Sequence, residues 1–249
     1  MRANTIWAIG YYYGWGSIKR GIPYTLMTLL MPLSLLFIFG LISGSGLAGA
    51  VGGGDLISYA ILGGFISIVA GNALSTMSDA SFWRLQLRIQ DLLVATSMTE
   101  VEYMLGLGLS NIIFSLPGLA IYVVIAYSFH IFTVLSFVIT LAILVAMAIA
   151  TTALAFILSS IPSHMRNVWG MSGVLSLALT LVPPIFYPYT LLPKPLLYLF
   201  MLSPATPAAM LVQGLAGLQP LYLPAFYVLV AETLAMLWLA KRFTKWRQD

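Results

Sequence analysis

Seven carboxylates, two histidines and no cysteine are what this 249-residue sequence offers for acid–base or metal chemistry. Thiolate metal sites and disulfides are excluded outright, and cysteine usage says nothing of redox compartment. No H-E-x-x-H motif occurs, and His130 and His164 stand alone in the chain. A phosphate-cradling loop needs G-x-x-x-x-G-K-[ST], whose backbone N–H groups and lysine hold a nucleotide. The nearest approach, "GWGSIKRG", fails that pattern. Hydrolysis of a nucleotide by this chain alone is therefore not expected. No Ser/His or Asp/Asp pairing suited to intramembrane catalysis stands out, so the chain is not read as an enzyme.

Two features of the charge pattern remain. The eleven basic and seven acidic residues make up only 7% of the chain. Six of them, Asp79, Arg84, Arg88, Asp91, Glu100 and Glu102, fall within the stretch "SDASFWRLQLRIQDLLVATSMTEVEYMLG". Glu232, by contrast, stands isolated in an apolar run with no nearby Lys or Arg before the chain's C-terminal end. An unpaired charge at mid-depth in a bilayer costs about 2.5–3.5 kcal/mol on insertion scales. Glu232 is expected to be protonated, paired across helices, or facing a cavity. It is either a proton-relay or substrate-contact carboxylate, or a structural group hydrogen-bonded to a neighbouring span, for example to Asn72 or Asn111.

The elements that must position these residues follow from hydropathy. The chain is 61% hydrophobic, with a mean hydropathy of +0.99, far above a soluble domain. The class is an all-α integral membrane protein, because barrel strands would show ten-residue alternating segments. Some 20 apolar residues cross 30 Å of hydrocarbon. Six runs are predicted to do so, at about 22–42, 56–76, 103–127, 131–158, 168–187 and 221–240. Pro117 and Gly118 predict a kink in the third. A very short turn near His130 joins the third and fourth. With six transmembrane helices, both termini share a side. Arg2, Lys19, Arg20, Arg84, Arg88, Arg166, Lys241, Arg242, Lys245 and Arg247 all fall on it, leaving only Lys194 opposite. Basic loops are cytoplasmic, so both termini are expected in the cytoplasm, the chain is multi-pass in the cell (plasma) membrane, and the two histidines lie on opposite sides.

The intervening segments differ. Residues 1–21 carry Trp7, Tyr11, Tyr12, Tyr13 and Trp15 before Lys19 and Arg20, and show no cleavable signal pattern. They read either as an aromatic belt or as an N-terminal interfacial helix leading into the six-helix transmembrane domain at 22–249. Loop 43–55, "SGSGLAGAVGGGD", reads as a flexible external connector. Segment 188–220 combines prolines with apolar pieces at 196–202 and 208–215 that are too short to span. These are expected to be external re-entrant short helices or, alternatively, an amphipathic loop on the outer leaflet. Between the second and third spans, residues 82–93 read as an amphipathic helix, with Arg84, Arg88 and Asp91 sharing one face and Phe82, Leu85, Ile89, Leu92 and Leu93 the other. Ser97 or Thr99 is expected to cap the third span, with Glu100 and Glu102 at its positive end. Asp91 on a lipid-resting helix points to a protein partner as well as to lipid. Nucleic acid is not expected, since the short C-terminal tail is the one basic cluster.

The run "RLQLRIQDLLVATSMTEVEYMLG" resembles the cytoplasmic loop of type-2 ATP-binding-cassette (ABC) exporter permeases, particularly the drug- and antibiotic-export relatives. Arg84 matches that loop's Arg; Ile89, Leu92 and Leu93 match its apolar positions; Glu102 and the following "MLG" match its end. "FYPYTLLPKPLLYLFMLSPATPAAMLVQGL" is similar to the family's external Phe-x-Pro, Leu-Pro and Ser-Pro series. Departures occur: the family's Glu is Leu85, its Gly is Leu87, its Thr is Arg88, its Pro falls near Ser97, and its last external Arg is Gln213. The resemblance implies a cytoplasmic coupling helix at about 80–95, with Arg84, Arg88, Asp91, Leu92 and Leu93 meeting an ATPase. It also implies an external gate around Phe186, Pro188, Pro193 and Pro204. It implies a homodimer, or a pair with a related permease, served by two separate ATP-binding-cassette subunits. Those partners would hold ATP and Mg, with no cofactor in this chain, so that the assembled complex is the ATPase. The function implied is outward movement of an amphipathic or hydrophobic substrate (drug, antibiotic or lipid) by alternating access. The alternatives carried forward are a proton- or ion-coupled secondary transporter using Glu232 and a membrane scaffold without transport.

Overall fold

The computed structural model describes residues 3–45, 55–96 and 98–243. Among them there is no strand. Ten α-helices follow one another: α1 (Ala3–Arg20), α2 (Ile22–Gly44), α3 (Leu56–Leu85), α4 (Ile89–Val94), α5 (Glu100–Ser128), α6 (Val134–Ser159), α7 (Met165–Thr180), α8 (Lys194–Phe200), α9 (Ala205–Leu215) and α10 (Pro224–Phe243).

The helix ends obey local chemistry. Asp55 caps α3 by accepting from the Ser58 N–H at 3.2 Å. Of the two residues expected to cap the third span, Ser97 lies outside the described residues and Thr99 does the capping. Its hydroxyl accepts from the Glu102 N–H at 3.3 Å, while the Glu102 carboxylate accepts from the Thr99 N–H at 3.1 Å. This reciprocal box satisfies two of the N–H groups that every helix start leaves open. Thr133 and Ser136 repeat the device at the start of α6, after a tight turn in which His130 takes φ 53°. The connector at 46–54 lies outside the described residues.

By length and composition α3, α5, α6 and α10 can each cross a bilayer, and α8 with α9 passes the same measure as a pair bent by 111°. The six predicted runs thus map onto helices of unequal reach. α2 runs for 23 residues, Ile22–Gly44, over the first predicted run. The run at 168–187 yields only the 16 residues of α7, because Pro183 and Pro184 lack the N–H groups that would continue it. Conversely the second run continues well past 76, to Leu85. α5 continues through Pro117 without a break in its helical assignment.

α3 is the central post. In its most apolar stretch 89% of residues are buried, against 17% for α10, so α10 is a peripheral helix, as is α7 with only Val168 and Thr180 buried. α3 packs on α2, α5, α6, α7 and α9. Its middle, from Ile61 to Ala70, joins Tyr122, Met147, Ile185 and Met210 in the main apolar core. The aromatic-rich α1 lies against the first half of α5, in rising register. Ile9 meets Gly106, Gly10 meets Leu109, and Gly14 meets Ser110 and Ile113. A Cβ on Gly14 would come within 2.7 Å of the Ser110 carbonyl, so glycine is what lets these two backbones approach. Trp7, Tyr11, Tyr12 and Trp15 stay exposed on the far side.

Candidate functional site

Three constellations involve the residues singled out by sequence. The first is the end of the bundle that carries α4. The expectation of one amphipathic helix over 82–93 is not met. Residues through Leu85 belong to α3, the backbone breaks at 86–88, and α4 is a separate six-residue helix. The break centres on Arg88, which takes φ 50°, a left-handed conformation in which a Cβ is strained. Arg84, Arg88 and Asp91 therefore share no helix face.

Arg84 is turned inward. Its Nη2 donates to the Ser159 carbonyl at 2.6 Å and to the Pro162 carbonyl at 2.9 Å, and Nη1 donates to the Ser160 carbonyl at 3.3 Å. The Ser81 hydroxyl adds a bond to Ser159 O at 3.1 Å. A helix C-terminus leaves carbonyls unpaired and carries partial negative charge. The guanidinium answers both, tying the end of α3 to the end of α6. Arg88 and Leu92 face outward, Leu92 being 69% exposed, while Leu93 and Val94 pack into the bundle beside Tyr103 and Met104. The side chain of Asp91 lies outside the described residues. The result is a short knob on a fixed base, whose described residues offer Leu87 and Leu92 as exposed apolar side chains and Arg88 as a cation.

The second constellation is the opposite end. α8 begins after Pro193 and α9 after Pro204. Pro188 opens a short 3₁₀ turn at Tyr189–Leu191. Phe186 and Pro204 are buried, Pro188 is half-buried, and Pro193 is exposed. The Ser203 hydroxyl donates to Leu179 O at 2.9 Å, joining this region to the end of α7. Gln213, fully buried, donates from Nε2 to the carbonyls of Pro184 and Ile185, both at 3.1 Å, and its Oε1 accepts from Gln219 Nε2. One side chain thus satisfies a turn that prolines have stripped of donors. Sequence reading noted Gln213 as a departure without assigning it this role.

The third constellation is intramembrane and polar. Asn72 Nδ2 donates to Ser115 Oγ at 2.9 Å, Ser115 Oγ donates to Asn111 O at 2.8 Å, and Asn111 Nδ2 donates to Thr76 Oγ1. The asparagines stitch α3 to α5. They do not reach Glu232. That residue sits on α10, which packs chiefly on α6 and α9, and its Oε2 is buried with no hydrogen-bond partner. The expected structural bond from Glu232 to Asn72 or Asn111 is therefore absent. Because α3 is longer than predicted, Asp79 belongs to this helix rather than to a loop. No Gly or Pro occurs from Asn72 to Leu105, and that was the available signal for a longer helix. Among the described residues no three His, Cys, Asp or Glu side chains converge on a metal-sized site.

The family model described as ABC-2 type transporter matches residues 10–238. No curated protein matches the chain. A match over so much of the sequence, on an all-helical bundle of this apolarity, shows that the chain belongs to the ABC-2 type transporter family. It is a membrane protein and a permease component rather than a catalytic ATPase domain, in a family that generally works with ATP-binding-cassette subunits.

Proposed function

We propose that this chain is the permease subunit of an ATP-driven exporter, moving an amphipathic or hydrophobic substrate outward by alternating access while separate subunits hydrolyse ATP. The carrying observation is the α4 knob. A short helix presents Leu92 and Arg88 outward on a base that Arg84 fixes to α6. An ATPase that pushes on α4 moves α3, the post against which most other helices pack.

Six crossings then comprise α2, α3, α5, α6, α7 and α10, with α8 and α9 as a bent re-entrant pair on the outer side. Both termini and α4 face the cytoplasm of the plasma membrane, as the distribution of Lys and Arg supports. Two such chains, or one with a related permease, build the path, and two ATPase subunits carry ATP and Mg. α1 would rest its exposed aromatic rings at the headgroup level. Few fixed charges among the spans favour an amphipathic or apolar cargo over a strongly charged one.

The test is reconstitution with the cytoplasmic ATPase in sealed vesicles. Movement of substrate that needs both ATP and the ATPase supports the reading. Full transport without any ATPase defeats it and favours the second one, an ion-coupled carrier, which the unpartnered Oε2 of Glu232 motivates. In that case Glu232→Gln abolishes transport; in an ATP-driven exporter it leaves ATP coupling intact.

A further inference from the structure

Asp79 has no role in the account so far. It lies on α3 six residues before the helix end, about 9 Å along the axis, on the side of the bundle that carries α4. Its side chain is exposed to a cleft of about 380 Å³ between α3 and α7, within the range of small-molecule sites. The same carboxylate borders a smaller pocket of about 80 Å³ against α1 and α5, with Tyr13, Trp83 and Asn111 in its walls.

The larger cleft is built for a ligand with one charge and an apolar body. Ser75, Ser172 and Ser176 supply hydroxyls, and Trp169 supplies an exposed ring. Ser78 and Ser172 are hydrogen-bonded across it at 2.9 Å, which fixes the two walls. Gly71 and Gly173 face open space, with nothing within 4 Å of where a Cβ would stand, so the floor is bare on both helices. Against this lining Asp79 is the single charge. Among the described residues no hydrogen bond or ion pair engages its carboxylate. No Lys or Arg lines either cavity. The nearest cation along the helix, Arg84, is committed to three carbonyls. A carboxylate among hydroxyls and aromatic faces, with no internal counter-ion, is the chemistry that recognises an organic cation.

We propose that the cleft between α3 and α7 is a loading site for an amphipathic organic cation, with Asp79 as its counter-ion and Trp169 as its aromatic wall. This names the substrate class for the exporter proposed above and rests on that reading for its place in transport; binding itself requires no ATPase.

The probe is radiolabelled tetraphenylphosphonium, offered to the purified full chain in lipid nanodiscs without nucleotide. Saturable binding is expected, about tenfold weaker in Asp79→Asn and within about threefold of wild type in Asp79→Glu. Trp169→Ala is expected to fall between them. Tetraphenylborate, the same shape with opposite charge, should lose nothing in Asp79→Asn. Monodisperse elution of each variant shows that the fold is kept, and Asp79→Glu keeps the test decisive should Asp79→Asn not assemble. No saturable binding by wild type, or equal affinity in wild type and Asp79→Asn, overturns the proposal. Cation binding that depends on Asp79 in a chain that recruits no ATPase would leave the site standing and defeat the exporter reading; the reverse result would defeat only the site.

Discussion

The two ends of the bundle use polar residues in opposite ways. On α9 nearly every side chain is buried, and its polar Gln213 spends its amide on Pro184, Ile185 and Gln219, while the short α8 beside it leaves Lys194, Tyr198 and Leu199 exposed. At the α4 end Arg84 is likewise spent on carbonyls, but Arg88 and Leu92 are left outside. The α9 side is closed by internal satisfaction. The other is held firmly at its base and left open at its tip. A region that only needs to hold its shape buries its polar groups, whereas a region that is to be touched keeps some back.

Substitutions sharpen or break that contrast in a definite order of effect. Gln213→Leu should be the most damaging. It strands two buried carbonyls and the Gln219 amide, each a group whose unmet hydrogen bond costs about 1–3 kcal/mol. Taken at the low end of that range for all three groups, the expected total is about 3 kcal/mol, read as an early midpoint of thermal unfolding in detergent. If the midpoint is unchanged, the closed end is not held by this amide. Arg84→Ala comes next, at about 1.5 kcal/mol, since charge-assisted bonds are worth more but this side chain is only half-buried. Arg84→Lys should rescue little, because an ammonium lacks the planar fork that reaches three carbonyls. Thr99→Ala removes half of a capping box and should cost about 1 kcal/mol. Smallest of all, Arg88→Gly and Leu92→Ala should leave stability within about 0.5 kcal/mol of wild type. Glycine even relieves the left-handed strain at position 88. Their effect is expected to be on binding of the proposed ATPase partner.

What the sequence makes legible follows the range of the physics involved. Apolar runs and helix starts are local, so α5, α6 and α10 fall within a few residues of their predicted spans, Thr99 caps as expected, and Pro193 and Pro204 precede α8 and α9. Polar residues after 76 suggest an exit from the membrane, whereas α3 continues as helix to Leu85. Asp79 and Arg84 are compatible with helix, and nothing in that stretch breaks one. The actual break, at Arg88, has a positive φ on a non-glycine residue, for which no local signal exists. The tertiary roles were out of reach altogether. The carbonyls that Arg84 serves lie 75 to 78 residues away in sequence. The packing of α10 on α6 and α9, which separates Glu232 from both asparagines, is set by helix order in the bundle and not by periodicity.

The central claim is that α4 is where a cytoplasmic ATPase takes hold. The direct measurement is affinity purification of the full chain co-expressed with candidate ATP-binding-cassette subunits, comparing wild type with Leu92→Asp. The account predicts that an ATPase copurifies with wild type and that its yield falls about tenfold with Leu92→Asp, while membrane level and monodispersity stay unchanged. Retention of the ATPase by Leu92→Asp at the wild-type level would contradict it.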